Sequence, residues 1–337
     1  MLNFFFEESR GKLFGGNRLF ETNLKHRLDW YVTNIFLLLW GGIGCVQVSP
    51  KVANQISLGN GATLPSPKLV TLESVTPTLI DSGGLAFSET GDLFLANFGK
   101  EGQIGRYQSG LNKKPEVFID LEEWISPVGD FMPRAEGIRV DKENRVLVAD
   151  AGTGKLLRIS PSAHKLEVLA DSYDGYRFGT VKDLAIAPDG DLFVSSPHSG
   201  TIYRIRPDIG YVGILNDDLV RVEGLAISPN GKQLVAAEPD ASRVVVYDIP
   251  NDLILVDSWT LVDFSPSGVE PKGVAFDEKG RLFLALGNLN EIRVFDLELG
   301  VELARYDAGG EAESISYWDG SLYIGGGDRI RRLRLRD

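Results

Sequence analysis

The chain of 337 residues has a single cysteine, Cys45. One cysteine excludes an internal disulfide framework and any cysteine-built zinc site. Histidine is nearly as scarce, with only His26, His164 and His198, which excludes a histidine-rich metal centre. Positive charge is in deficit: 35 lysines and arginines stand against 47 aspartates and glutamates, for a formal net charge of -12. Phosphate backbones and anionic lipids need a basic face, so nucleic acid is not expected as a partner. Glycine is plentiful, at 38 residues, alongside 43% hydrophobic residues. Together with the length, this points to a folded, turn-rich, all-β protein with ample chain for a core.

Residues 1–48 read as a leader. Cations at Arg10, Lys12, Arg18, Lys25 and Arg27 precede an uncharged apolar run from Trp30 to Val48. A basic segment followed by an apolar core is how an export signal reads, and the positive flank keeps the N-terminus inside. The run resembles a bacterial lipoprotein signal, which implies lipidation of Cys45 after Gly44, although Gly42 stands where leucine is usual. An uncleaved signal anchor is the alternative, and the length of the leader is compatible with a start downstream of Met1. The expectation is an exported, membrane-tethered protein on the periplasmic or extracellular side of a bacterial envelope. Residues 49–67 are a linker rich in Pro, Gly and Ser without periodicity.

From residue 68 to 337 one pattern repeats. Its clearest copy is Glu136 to Ile159 (EGIRVDKENRVLVADAGTGKLLRI), three short apolar runs split by two turn-rich gaps. Runs of this length and spacing form an antiparallel meander. Further copies start at Gly83, Lys182, Glu223, Lys272 and Glu313, giving steps of 53, 46, 41, 49 and 41 residues. A period of roughly 40–50 residues with several strands per unit is the signature of a β-propeller. In the third unit the expected strands are Leu184–Ala187, Leu192–Ser195, Thr201–Arg206 and Tyr211–Leu215. The sixth unit runs out after Ile315–Tyr317, Leu322–Ile324 and Arg329–Leu335, and Lys68–Val75 is the one spare strand to complete it. The expected fold is therefore an all-β, six-bladed propeller of four-stranded antiparallel blades, with an N-terminal strand closing the last blade and no open sheet edge. Five blades plus a separate sheet is the alternative. Alternation in the last strand places Arg332, Arg334 and Arg336 on one solvated face, with Leu333 and Leu335 on the other.

In a propeller the inner strands line a central channel, and the loops entering them form one face. The residue just before each inner strand's Gly, or its equivalent, should point at the channel mouth. These positions are Gly83, Glu136, Lys182, Glu223, Lys272 and Glu313, so the catalytic or ligand-binding candidates are Glu136, Lys182, Glu223, Lys272 and Glu313. A mutually neutralising ion network holding the blades together is the competing account, because partly desolvated charges persist mainly when paired. Two connections carry aromatics: Leu121–Arg134, with Trp124, Phe131 and Met132, and Asp171–Phe178, with Tyr173 and Tyr176. They could wall a ligand or merely anchor their loops. His198 sits on a loop of the same face, without the oriented carboxylate and held serine that a triad needs.

The repeated x-G-L-A-x-(S/D)-x-x-G-x-L-(F/Y)-V pattern resembles the gluconolactonase and regucalcin-like (SMP-30-type, LRE-like) six-bladed propellers over roughly residues 68–337. VADAGTGKLLRI also resembles the NHL repeat, a binding unit. The first resemblance implies one catalytic calcium, or a similar divalent ion, at the channel mouth of a lactone hydrolase. Its ligand positions fall here on Gly83, Lys182, Glu223 and Lys272, of which only Glu223 offers an oxygen. Asp183 matches an aspartate behind the metal. Rotating the assignment by one blade gives Glu136, Glu223, Lys272 and Glu313, which still includes a lysine. A hard cation wants six to eight oxygens and does not share its site with ammonium groups. The expected function is accordingly binding of a small molecule or protein partner at the mouth without the metal. The alternatives are a lactone or ester hydrolase, calcium-dependent or metal-free, and a tethered structural subunit of an envelope or membrane complex.

Overall fold

The repeats close into a ring. A computed structural model describes residues 64–76, 79, 83–108, 114–249 and 256–335. They form six four-stranded antiparallel sheets and one small hairpin. The leader, the apolar run with Cys45 and the linker up to residue 63 lie outside the described residues. Among those described, no helix is long and apolar enough to cross a membrane.

Blade 1 comprises Leu85–Phe87, Leu93–Leu95, Gln103–Tyr107 and Glu116–Asp120, from the channel outward. Blade 2 follows with Ala135–Val140, Val146–Asp150, Lys155–Ile159 and Leu166–Ala170. Blade 3 is Leu184–Ile186, Leu192–Ser196, Thr201–Arg206 and Tyr211–Asn216, within a residue of the expected bounds. Blade 4 is Leu225–Ile227, Gln233–Glu238, Arg243–Asp248 and Ser258–Asp263. Blade 5 is Pro271–Phe276, Arg281–Leu286, Glu291–Asp296 and Val301–Asp307. Blade 6 is Ser314–Trp318, Ser321–Gly325 and Arg331–Arg334, with Thr71–Ser74 as its outer strand. Each inner strand packs against those of its two neighbours, and blade 6 returns to blade 1.

Local chemistry explains why the meander recurs. The turn between first and second strands is closed by a side chain at its first position. The Asp141 carboxylate accepts from the amides of Glu143 and Arg145, and Asp277 accepts in the same way from Lys279 and Arg281. Ser88 and Ser228 do this with their hydroxyls, accepting from Asp92 and Gln233. This is why the repeat carries Ser or Asp at that position. The turn needs a left-handed residue, supplied by Gly190 (φ 94°) in blade 3 and by Asn144 (φ 57°) in blade 2, a conformation that glycine and asparagine tolerate best. The second strands are buried on both faces: every residue of Val146–Asp150 and Leu192–Ser196 is inside. The outer strands are mostly exposed or half-buried.

Apolar faces of neighbouring blades fill the gaps between sheets. Phe94 and Phe118 of blade 1 meet Ile138, Val148 and Leu157 of blade 2 in one such layer. The ring closes where Thr71–Ser74 pairs with Arg331–Arg334, placing Leu72 opposite Leu333. Arg332 and Arg334 belong to this closure, and Arg336 lies outside the described residues. Glu73 Oε1 accepts from Arg332 and Arg334, each at 2.7 Å, while Leu333 and Leu335 are buried beneath.

Candidate functional site

The inner strands come so close at the channel that backbone meets backbone. The amide of Gly84 donates to the carbonyl of Glu136 (2.9 Å), and that of Gly137 to the carbonyl of Lys182 (2.8 Å). Ser195 Oγ donates to the Glu223 carbonyl (2.7 Å), and Ser314 Oγ returns the belt to the Gly83 carbonyl (2.6 Å). A Cβ on Gly84 would lie 1.9 Å from the Glu136 oxygen, and one on Gly224 would lie 2.1 Å from the Lys272 oxygen. Only glycine permits that approach, which is the physical reason for the Gly in the repeat. Blade 3 carries Asp183 instead. Its carboxylate accepts from the amide of Leu225 in blade 4 (3.0 Å) and from Arg139 of blade 2 (2.9 Å).

A second ring of polar residues, at the ends of the second strands, fixes the height of the loops entering the channel. Asp150 is fully buried and accepts from the amides of Arg134, Gly152 and Thr153 and from the Thr153 hydroxyl. Asn97 donates to the carbonyl of Ala135 and accepts from Gly102. Ser196 donates to Phe178 and Thr180, Glu238 accepts from Val220, and Asn288 accepts from Glu270. In blade 6 the buried Arg331 guanidinium does the same work, donating to Ala308, Glu311 and Gly326 carbonyls. Each residue grips a carbonyl or amide one to four positions before a mouth residue.

On this scaffold the five charged candidates converge. Glu136, Lys182, Glu223, Lys272 and Glu313 line one cavity at the channel, together with Gly83, Asp183 and Arg139. Its enclosed volume is about 40 Å³, room for only a few waters. Signs alternate from blade to blade and break at Gly83. Lys182 Nζ donates to Glu136 Oε2 at 2.9 Å, and Lys272 Nζ donates to Glu313 Oε1 at 2.6 Å. Burial lowers the Lys182 pKa, but Glu136, Glu223 and Glu313 outweigh it and hold the ammonium above its ordinary value. Lys272 is raised in the same way, with Glu313 as the main partner opposing its burial. Burial pushes the Glu313 carboxyl up, yet Lys272, Lys182 and Arg221 pull it below the usual range. These groups therefore stand fully ionised at neutral pH.

Three arginines complete the site. Arg134 reaches Glu136 Oε1 at 3.2 Å, and Arg221 reaches Glu223 Oε1 at 2.6 Å. Arg139 crosses the channel, donating to the carbonyls of Ile138 and Leu225 and to Asp183. Arg134 and Arg221 are not among the residues expected from the sequence, although Arg134-Ala-Glu136-Gly137 and Arg221-Val-Glu223-Gly224 repeat an R-x-E-G spacing that could have marked them. Arg139 had no such signal, because its partners lie 44 and 86 residues away.

The residues do not fit a divalent cation at this mouth. Two of the four expected ligand positions hold ammonium groups already engaged by the carboxylates beside them, and a third is Gly83. Among the described residues no three Asp, Glu, His or Cys side chains are grouped to hold a metal ion.

The aromatic candidates lie elsewhere on the loops. None of Trp124, Phe131, Tyr173, Tyr176 and His198 lines the channel cavity. Ser172–Tyr173 and Tyr176–Arg177 form a hairpin. Phe178 stacks on Tyr203 of blade 3 with centroids 4.2 Å apart, and Tyr173 stands 6.4 Å from the same ring. Phe178, which is buried, therefore anchors the hairpin, whereas Tyr173 and Tyr176 are exposed. The first loop is pinned by the buried Leu121 and Ile125, and Trp124, Phe131 and Met132 face solvent. His198 is exposed on the loop after Ser196.

Comparison with known proteins agrees with the fold and its repeat. Residues 162–323 match the family model described as SMP-30/Gluconolactonase/LRE-like region. The chain is 25% identical over 181 residues to a gluconolactonase of Zymomonas mobilis, a match covering 47% of this chain and 51% of that protein. It is 25% identical over 183 residues to strictosidine synthase-like 7 of Arabidopsis thaliana, covering 49% of this chain and 46% of that one. The chain thus spans about half the length of these curated relatives. Among solved structures, a gluconolactonase of Xanthomonas campestris superposes with a TM-score of 0.68 at 21% identity, covering 81% of this chain and 94% of that one.

Proposed function

We propose that this six-bladed β-propeller, lactonase-like in its repeat, binds a small molecule or protein partner at the channel mouth without the metal that the family resemblance implies. The observation that carries this reading is the pairing of Lys182 with Glu136 and of Lys272 with Glu313. The ammonium groups supply, from the chain itself, the positive charge that the carboxylates would otherwise take from a cation. The raised pKa values of Lys182 and Lys272 and the lowered one of Glu313 oppose proton transfer by these groups at neutral pH and suit fixed electrostatic recognition. The narrow, Arg139-crossed channel keeps the ligand at the mouth. The apolar run and Cys45 support a further part of the proposal, that the propeller works tethered on the outer side of a membrane.

Calcium titration under thermal unfolding tests the metal-free reading, since a ligand of the folded state alone raises the midpoint. The expected result is no shift at millimolar calcium. A saturable rise abolished by Glu223→Gln would overturn it and restore a calcium-dependent hydrolase. The similarity to gluconolactonases favours one second reading, a metal-free lactone hydrolase in which Lys182 or Lys272 stabilises the developing oxyanion. Turnover of simple lactones that disappears in folded Lys182→Ala would select it. For the tether, Cys45→Ser should release the protein from the membrane fraction, and unchanged retention would indicate an uncleaved anchor.

A further inference from the structure

The two signs of charge at the mouth are not equally accessible. The Glu136 and Glu223 side chains are 10% and 5% exposed, whereas Arg134, Lys182 and Arg221, which cover them, are 41%, 30% and 47% exposed. Both Glu136 oxygens are taken, one by Arg134 and one by Lys182. The buried carboxylates thus have partners, while the cations above them keep unused N–H donors. A guanidinium carries five donors and an ammonium three, and neither accepts. Arg221 makes one further contact, to exposed Asp240 at 3.4 Å. These three cations come from the entrances of blades 2, 3 and 4 and occupy one arc of the mouth. On the opposite arc, Glu270 and Glu311 are exposed at the entrances of blades 5 and 6. The Glu313 side chain there is more exposed than that of its partner Lys272, at 32% against 18%.

We infer that the arc of Arg134, Lys182 and Arg221 is an anion subsite, which takes a carboxylate or phosphate group of the mouth ligand. The inference rests on the proposed mouth-binding role and adds the class and orientation of the ligand. An oxyanion supplies acceptors for the donors that the three cations leave unused among the described residues, and guanidinium forks match planar carboxylate and phosphate geometry. The carboxylates behind them hold the cations in place. The acidic arc across the mouth repels a second anionic group, so a ligand with its negative charge at one end is preferred over one charged at both ends.

The test is titration calorimetry and amide chemical-shift mapping on the full chain at fixed ionic strength. The probes are inorganic phosphate, acetate and citrate, with choline as cation and sorbitol as neutral control. The expected result is saturable binding of phosphate or acetate, with shifts centred on the entrances of blades 2 to 4. Arg221→Gln and Arg134→Gln should each weaken it about tenfold, and Arg305→Gln on the outer strand of blade 5 should leave it unchanged. Equal weakening in all three variants, or binding unaffected by any, means an adventitious ion only and overturns the subsite. Citrate binding tighter than acetate and phosphate would overturn the orientation. Choline or sorbitol binding at the mouth without anion binding overturns the anion class but leaves the mouth role standing. Absence of binding by every probe removes the subsite. The mouth role itself falls only if, in addition, Lys182→Met and Arg221→Gln leave capture of a stoichiometric co-purifying partner or metabolite unchanged.

Discussion

At the scale of single residues, the mouth is a set of charged pairs whose members need each other. Glu136 is 8% exposed and its carboxylate is divided between Lys182 and Arg134. Removing one partner of a largely buried pair leaves the other desolvated and under-compensated. Lys182→Met should therefore destabilise the fold by about 1–3 kcal/mol, a range tempered by the remaining Arg134 contact. Adding Glu136→Gln should recover part of that loss. A double-mutant cycle in urea reads the coupling directly, with an expected interaction of about 1–2 kcal/mol; additive losses would show that the two side chains act independently. The convergence of these five residues was legible in the sequence, because each stands one position before the same landmark of its repeat. Which lysine faces which glutamate was not. A repeat assigns a position in each blade but no side-chain direction, and Lys182 turns to Glu136 although Glu223 flanks it on the other side.

At the scale of elements, the loops entering the channel are held by the second strands, which is why the mouth residues share one level. Asp150 collects the amides of Arg134, Gly152 and Thr153 as well as the Thr153 hydroxyl, with no exposure to solvent. Asp150→Ala strips buried donors of their acceptor and is expected to cost about 2–4 kcal/mol. It should also displace Arg134 from Glu136, so a loss of mouth binding larger than that of Asn97→Ala is expected from ligand titration. If binding survives Asp150→Ala intact, the staple governs stability alone. Strand positions were readable to within a residue in blade 3, because apolar runs bounded by Ser/Asp and Gly turns leave little freedom. The hairpin at 172–177 was not readable. Its two-residue strands carry no periodicity, and Phe178 is fixed by Tyr203, a ring that only the folded blade 3 brings near. Of the side chains expected either to wall a ligand or to anchor their loops, Phe178 is buried against Tyr203, and Trp124, Phe131, Met132, Tyr173 and Tyr176 are exposed.

At the scale of the whole molecule, the ring joins its first and last strands, so a local proton change is felt in global stability. The groups that shape its pH dependence include a carboxyl and two lysines of the mouth and a buried tyrosine. The Glu313 carboxyl lies below its unfolded value, so its contribution is present above about pH 4.3 and is lost as pH falls through the folded value. Lys182 and Lys272 lie above theirs, so their contribution is present below about pH 10.4 and is lost as pH rises through the folded values. Tyr306 acts in the same alkaline window by a different route. It is buried, donates to the carbonyl of Pro65 at 2.9 Å, and burial pushes its pKa up to about 12. Between about pH 10, where the unfolded tyrosine ionises, and that raised value, the native state keeps a proton that the unfolded chain has released. Stability must then fall by up to about 1.4 kcal/mol for each pH unit from this one group. Urea unfolding of wild type should therefore give a plateau from about pH 5 to 9 and a steep alkaline decline. Tyr306→Phe should lower the plateau, through the lost hydrogen bond, and flatten the decline by close to one proton. An unchanged alkaline slope in Tyr306→Phe would mean that the phenol ionises in the native state, and would place the decline on the lysines of the mouth and on Tyr107 and Tyr247, whose phenols burial also pushes up.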